Sequence, residues 1–147
     1  MRPTLLIDTL KARFNAHRAG TLKRATLVVG PPGVGKTQTV EQTAAELGVG
    51  FMCNHAPLMQ PEDYGMPVVS ADRTDISFVV SSSRFPLVGS DCPDEGILLI
   101  DELPQAGNAE QKILANLIQA REIHGKHLKP GWMIVATGNR ASDRAGA

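Results

Sequence analysis

Thr26-Leu-Val-Val-Gly-Pro-Pro-Gly-Val-Gly-Lys-Thr37 is the stretch that decides the fold. Thr26–Val29 is an apolar run fit for a strand. Gly30–Thr37 matches G-x-x-x-x-G-K-[ST], a phosphate-binding loop when a strand leads into it and a helix leads out. Both conditions hold. The strand is expected at about 26–30, and a helical pattern follows at roughly 36–47, where Val40, Ala44 and Leu47 share a face and Gly48 supplies the stop. In such a turn the main-chain N–H groups point inward at phosphate oxygens, and the helix N-terminus adds its positive dipole end. Gly33 and Gly35 allow the backbone angles this needs. The expected nucleotide contacts are therefore Gly30, Pro31, Pro32, Gly33, Val34, Gly35, Lys36, Thr37 and Gln38. Lys36 reaches the β- and γ-phosphates, and Thr37 places its hydroxyl on Mg²⁺.

A second informative stretch is Ile97-Leu-Leu-Ile-Asp-Glu102. Its continuous apolar run reads as a strand covered on both faces, with two acids emerging at its carboxyl end. Asp101 is expected to hold the Mg²⁺ that bridges the β- and γ-phosphates. Glu102 is expected to polarise an attacking water as a general base. Adjacent residues alternate sides of a strand, so the two acids can serve different roles. A third strand, Trp132–Ala136, runs on through Thr137 and Gly138 to Asn139, which is placed to contact the γ-phosphate and orient the water.

The remaining chain fills in around these strands. Residues 4–19 read as a helix with Leu6, Ile7, Leu10 and Phe14 on one face. Gly50–Asn54 reads as a short strand. Met66–Val69 and Ile76–Val80 form an expected hairpin across Ser70–Asp75. Residues 109–123 form a helix striped by Ile113, Leu114, Leu117 and Ile118, with Asn108 and Gln111 resembling a capping pair. Gly125–Gly131 is a basic connection. Strands alternating with helices give an α/β class: a three-layer αβα arrangement around a mostly parallel sheet, with ligands at the carboxyl ends of its strands.

These motifs, in this order, resemble the AAA+ ATPases of the P-loop NTPases. The Gly-rich loop is similar to Walker A, Ile97–Glu102 to Walker B, and Asn139 to sensor 1. Pro61-Glu-Asp-Tyr-Gly-Met-Pro-Val68, Gly96–Pro104 and Ala136-Thr-Gly-Asn-Arg140 with Asp143-Arg-Ala-Gly146 resemble the MoxR-like branch. The resemblance implies ATP as ligand with Mg²⁺, Glu102, Lys36 and Asn139 as catalytic residues, and Thr37 with Asp101 on the metal. It also implies a hexameric ring that remodels a protein partner, such as one carrying a von Willebrand factor A domain. Asn54, with His55 as its rival, resembles the polar residue that restrains the catalytic glutamate. The hairpin at 66–80 and the Gly125–Gly131 connection match insertions facing the ring's pore. The family's next helix, fifth strand, helical lid, arginine fingers and sensor 2 would follow sensor 1. Arg140 and Arg144 are off the usual finger position. Residues 1–147 thus read as a single core domain, incomplete at its C-terminus and lacking a lid, with the first strand left on an open edge.

Composition sets the outer limits. With 147 residues, 42% hydrophobic and 20% charged, the chain suits one globular domain. Fifteen basic residues balance fifteen acidic ones, which gives no argument for nucleic acid or membrane. The two cysteines, Cys53 and Cys92, frame no disulfide scaffold. Their spacing to His55, His124 and His127 fits no standard zinc site. No apolar stretch reaches the ~18 residues of a membrane span. The N-terminus lacks a secretory pattern, so the expected compartment is the cytoplasm. Three other readings stay open: a nucleotide-binding assembly module without efficient turnover; a P-loop small-molecule kinase, which would not need Glu102 to activate water; and a DNA-linked AAA+ motor such as a loader, against which the neutral charge counts.

Overall fold

The computed structural model describes residues 3–21, 24–29 and 35–138. Gly30, Pro31, Pro32, Gly33 and Val34 of the phosphate loop lie outside them, as do Asn139, Arg140 and Arg144. In chain order the elements are α1 (Pro3–Arg18), β1 (Thr26–Val29), α2 (Lys36–Leu47), β2 (Gly50–His55), α3 (Pro61–Tyr64), β3 (Met66–Val69), β4 (Ile76–Val79), β5 (Glu95–Asp101), α4 (Asn108–Ala120), β6 (Glu122–Ile123), β7 (Lys126–His127) and β8 (Gly131–Gly138).

Strands β1, β8, β5 and β2 form one parallel sheet in that spatial order. Its centre is built from the two apolar runs, Ile97–Ile100 and Trp132–Ala136, which are buried. Alternation along each strand sorts their side chains between two faces. Ile97, Leu99, Met133 and Val135 pack with Leu6, Leu10 and Phe14 of α1 and with Val40 and Ala44 of α2. Leu98, Ile100, Trp132, Ile134 and Ala136 pack with Leu114 and Leu117 of α4, and with Tyr64 and Phe85 from the β2–β5 connection. Three layers result, as the sequence predicts. The chain crosses from β1 to β2 through α2 on one face. It returns from β5 to β8 through α4 on the other. Opposite directions on opposite faces give both crossovers the same hand. Edge strand β1 leaves Leu27 and Val29 exposed.

The amino end of the sheet is closed by Trp132, which is fully buried. It pairs with Gly96 of β5, which pairs with Gly50 of β2. A Cβ at Gly96 would come within 2.5 Å of the indole, and one at Gly50 within 2.8 Å. The ring therefore fills the room that two absent side chains leave. Its Nε1 donates to the Pro93 carbonyl at 2.7 Å.

Helix α4 departs from the sequence expectation at both ends. Its N-cap is Gly107, and Gln111 donates its side-chain amide to the Ala106 carbonyl at 2.9 Å instead of closing a capping pair with Asn108. It stops at Ala120 because Arg121 adopts a left-handed backbone, φ 56°. The chain then pairs β6 with β7 in a short hairpin. The half-buried Arg121 guanidinium donates to the carbonyls of Lys129 at 3.0 Å and Trp132 at 2.6 Å, which ties this corner to the foot of β8. The β3–β4 hairpin forms in the expected place, with Met66 opposite Val79 and Val69 opposite Ile76. All four of these side chains are exposed. Phe78 of β4 stacks on His124 with ring centroids 4.0 Å apart. No helix among the described residues is long and apolar enough to cross a membrane.

Tyr64, fully buried against Phe85, offers a clean probe of this packing. Its hydroxyl has no hydrogen-bond partner among the described residues. Burial, with Glu110 and Asp63 nearby and Arg84 opposing them, pushes it up to about 12. The chain has one tyrosine, so tyrosinate absorbance reports this group alone. The native chain should ionise near pH 12, and the chain in denaturant near about 10. Because the folded value is the higher one, the stability this group contributes is complete below about pH 10. It is lost as pH rises through the folded value. A native titration at the denatured value would show the ring to be solvated.

Candidate functional site

The parallel strands end on one side, and register sets those ends in a row. Val29 of β1 lies beside Gly138 of β8, and His55 of β2 beside Asp101 of β5. Strand β8 stands between the strand that feeds the phosphate loop and the strand that ends in Asp101. Alternation then chooses the face. Thr137 follows Met133 and Val135, and Asp101 follows Ile97 and Leu99, toward α1 and α2.

Helix α2 begins at Lys36, as predicted. Gly35 is its N-cap in a left-handed conformation, φ 72° and ψ 30°. Gly35 has no side chain to cap this end, and the first turn of the helix holds no acid, a start whose positive dipole end suits an anion. Thr37 is half-buried and Gln38 exposed in that turn. Lys36 Nζ donates to the Gly138 carbonyl at 3.2 Å. One residue back along β8, the Thr137 hydroxyl donates to Asp101 Oδ1 at 2.5 Å and accepts the Glu102 N–H at 2.9 Å. The other carboxylate oxygen, Asp101 Oδ2, lies 2.8 Å from His55 Nδ1. The Asp101 side chain is only 13% exposed. Lys36, Asp101 and Glu102, remote in sequence, meet around the tip of β8.

Glu102 does not continue the strand alternation expected of it. Asp101 is the last residue of β5, and Glu102 leaves the sheet with left-handed backbone angles, φ 54° and ψ 47°. Such a conformation is uncommon outside glycine and persists where surroundings impose it. The chain then tightens into the turn Leu103–Gln105.

The structure also separates Asn54 from His55. Asn54 is buried on the α4 side, where its Nδ2 donates to the Arg84 carbonyl at 2.9 Å and its Oδ1 has no partner among the described residues. Strand β2 runs one residue further than expected, and its last residue, His55, falls on Asp101. The polar neighbour revealed at the acids is thus His55 on Asp101, and no bond among the described residues ties Asn54 to Glu102. Thr137 is the residue that sequence reading missed. Strand alternation puts it on the face of Val135, but only the pairing of β8 with β5 shows that this is also the face of Asp101.

The donors fit Mg²⁺. Asp101 and Thr37 offer hard oxygen ligands, and each Asp101 oxygen that already meets a protein partner can accept another. Among the described residues no group of three His, Cys, Asp or Glu could hold a metal by itself. Mg²⁺ suits such a place because it takes one or two carboxylates together with phosphate and water. Cys53 Sγ lies 4.0 Å from His55 Nε2, but burial above all, with Asp101 and Glu41 nearby, pushes this thiol up to about 11. It stays protonated at neutral pH and is a poor ligand.

The profile of the ATPase family associated with various cellular activities (AAA) matches residues 26–145. The chain belongs to the AAA family. The Holliday junction branch migration complex subunit RuvB of Lawsonia intracellularis is 36% identical to this AAA chain over 84 residues, 56% of this chain and 25% of that protein. The ATP-dependent zinc metalloprotease FtsH of Hahella chejuensis is 33% identical over 104 residues, 69% of this chain and 15% of that protein. The chain spans at most a quarter of the length of the curated relatives it matches. Among solved structures, the RuvB Holliday junction branch migration motor of Thermotoga maritima aligns with a TM-score of 0.54 at 19% identity, over 92% of this chain and 38% of that one. NtrX from Brucella abortus in complex with ADP aligns with a TM-score of 0.52 at 16% identity, over 95% of this chain and 31% of that one. These likenesses establish the three-layer α/β fold of P-loop NTPases. AAA membership carries nucleotide binding and ATP hydrolysis as the family's general properties.

Proposed function

We propose that the chain is the ATP-binding and ATP-hydrolysing core of a MoxR-like AAA+ ATPase that acts on a protein partner. The observation that carries this reading is the convergence at the tip of β8: Lys36 on the Gly138 carbonyl, and Asp101 with Glu102 tied to Thr137. The Gly-rich turn and α2 cradle the phosphates, Lys36 neutralises the β- and γ-phosphates, and Thr37 with Asp101 hold Mg²⁺. When bound, the metal supplies charge neutralisation for the leaving phosphate. Glu102 takes a proton from the attacking water, and Asn139 orients that water against the γ-phosphate. The exposed apolar hairpin β3–β4 supports the protein-directed part of the reading. Gly65 caps α3 and leads into Met66-Pro67 at the start of β3, and Met66, Val69, Ile76 and Val79 face solvent. A hexameric ring and a von Willebrand factor A domain partner complete the proposal.

The RuvB likeness favours a second reading, a motor that works on DNA. The even charge balance weighs against it. Phosphate release from ATP, with and without Mg²⁺, duplex DNA and a candidate partner, tests both. Mg²⁺-dependent release stimulated by a protein and indifferent to DNA supports the first. Tight, salt-sensitive DNA binding with DNA-stimulated release would replace it with the second. Nucleotide binding without release would leave an assembly module, and phosphate transfer to a small acceptor would make it a kinase.

A further inference from the structure

We propose that Thr137 is the positioning residue that sets Asp101 and Glu102 relative to one another, a role that rests on the ATP-hydrolysing reading of this site. A carboxylate only accepts hydrogen bonds and a backbone N–H only donates them. The hydroxyl between them therefore has one possible arrangement: its proton goes to Asp101 Oδ1 at 2.5 Å, and its oxygen accepts the Glu102 N–H at 2.9 Å. The first bond has the short length of a charge-assisted O–H···O⁻ contact. Thr137 is fully buried, and its β-branched side chain has few rotamers open to it.

The position gives this hydroxyl its consequence. The β5–β8 ladder ends at Ile100 and Ala136. Beyond it Glu102 turns into its left-handed conformation, where its N–H meets no main-chain carbonyl among the described residues. The Thr137 side chain takes the place of that ladder bond. The same oxygen thus pins the backbone that launches the proposed base and orients the carboxylate proposed for the metal. The next peptide of β8 carries the Gly138 carbonyl on which Lys36 rests. One strand tip thereby holds the lysine, the metal-side acid and the base in a common frame. His55 steadies only the far oxygen of Asp101 and gives Glu102 no tie.

Two substitutions separate hydroxyl from shape. Thr137→Val keeps the branch and removes both bonds, whereas Thr137→Ser keeps both bonds and removes the branch. The full chain and each variant are titrated with a fluorescent ATP analogue in Mg²⁺ and in EDTA, and phosphate release is followed alongside. Thr137→Val should match wild type in EDTA, where the loop and Lys36 do the binding. In Mg²⁺ it should lose on the order of 10–100-fold of the metal-dependent gain in affinity, with a comparable loss in kcat. Thr137→Ser should recover most of both. The proposal is overturned by a Thr137→Val chain that keeps the wild-type Mg²⁺ gain. It is equally overturned by a serine variant as poor as the valine one, or by losses equal in EDTA and Mg²⁺, which would mark a packing role. Thr137→Ala repeats the comparison with serine where the valine variant does not fold. A wild-type chain that binds the analogue equally with and without Mg²⁺ overturns the site reading itself, and this role with it. A wild-type chain that shows the Mg²⁺ gain beside a Thr137→Val chain that keeps it overturns this role alone and leaves the site reading standing.

Discussion

Glu102→Gln is expected to bind ATP as the wild-type chain does and to release phosphate more slowly by about 10²–10⁴-fold, the usual worth of a positioned general base. The amide is nearly the size and shape of the acid, so the left-handed turn at this position is kept. The tie to Thr137 is made by the main-chain N–H of residue 102, so it survives the change. What is lost is the capacity to take a proton from water. Release measured in a single turnover at saturating ATP, beside a separate binding titration, tests this. Unchanged release would remove Glu102 from the reaction. Lost binding would make it a structural residue.

Lys36→Ala should weaken ATP binding by about 10–100-fold, since hydrogen bonds to charged groups are worth about 1.5–3 kcal/mol. The loss should grade with phosphate number: largest for ATP, smaller for ADP, and absent for AMP. That grading is the point of the experiment, because a general disturbance of the loop would weaken all three alike. Alanine suits a helix start, so α2 should remain. Its neighbouring cap, Gly35, is a matter of backbone angle, which the substitution leaves alone. Equal affinities of wild type and variant for ATP would place the triphosphate elsewhere. Calorimetry with the three nucleotides decides.

Much of this architecture is written in local signals, and the particular failures are instructive. Helix α2 begins and ends where the sequence says, because glycines in left-handed conformations stand at both its ends, Gly35 and Gly48. Helix α4 stops short because Arg121 takes the same conformation. An arginine carries no propensity that announces such a turn, and the reason lies in carbonyls of residues 129 and 132 reached only after folding. At the site, the Gly-rich loop and the strand ending in two acids stand out because their chemistry demands particular residue types at fixed spacing. Residues that merely orient others have no such demand. Thr137 looks like any strand threonine until the register of β5 against β8 is known. The choice between Asn54 and His55 turned on whether β2 ran one residue further, which side-chain period alone does not fix.

At the foot of the sheet, one indole occupies space belonging to two neighbours. Residues 50, 96 and 132 are therefore not independent letters. A larger residue can enter at either glycine only in a lineage whose tryptophan has already shrunk, and a lineage that loses the ring inherits a void spanning three strands. These three positions are bound to drift together or not at all, whatever happens to the chemistry at the opposite end of the same strands.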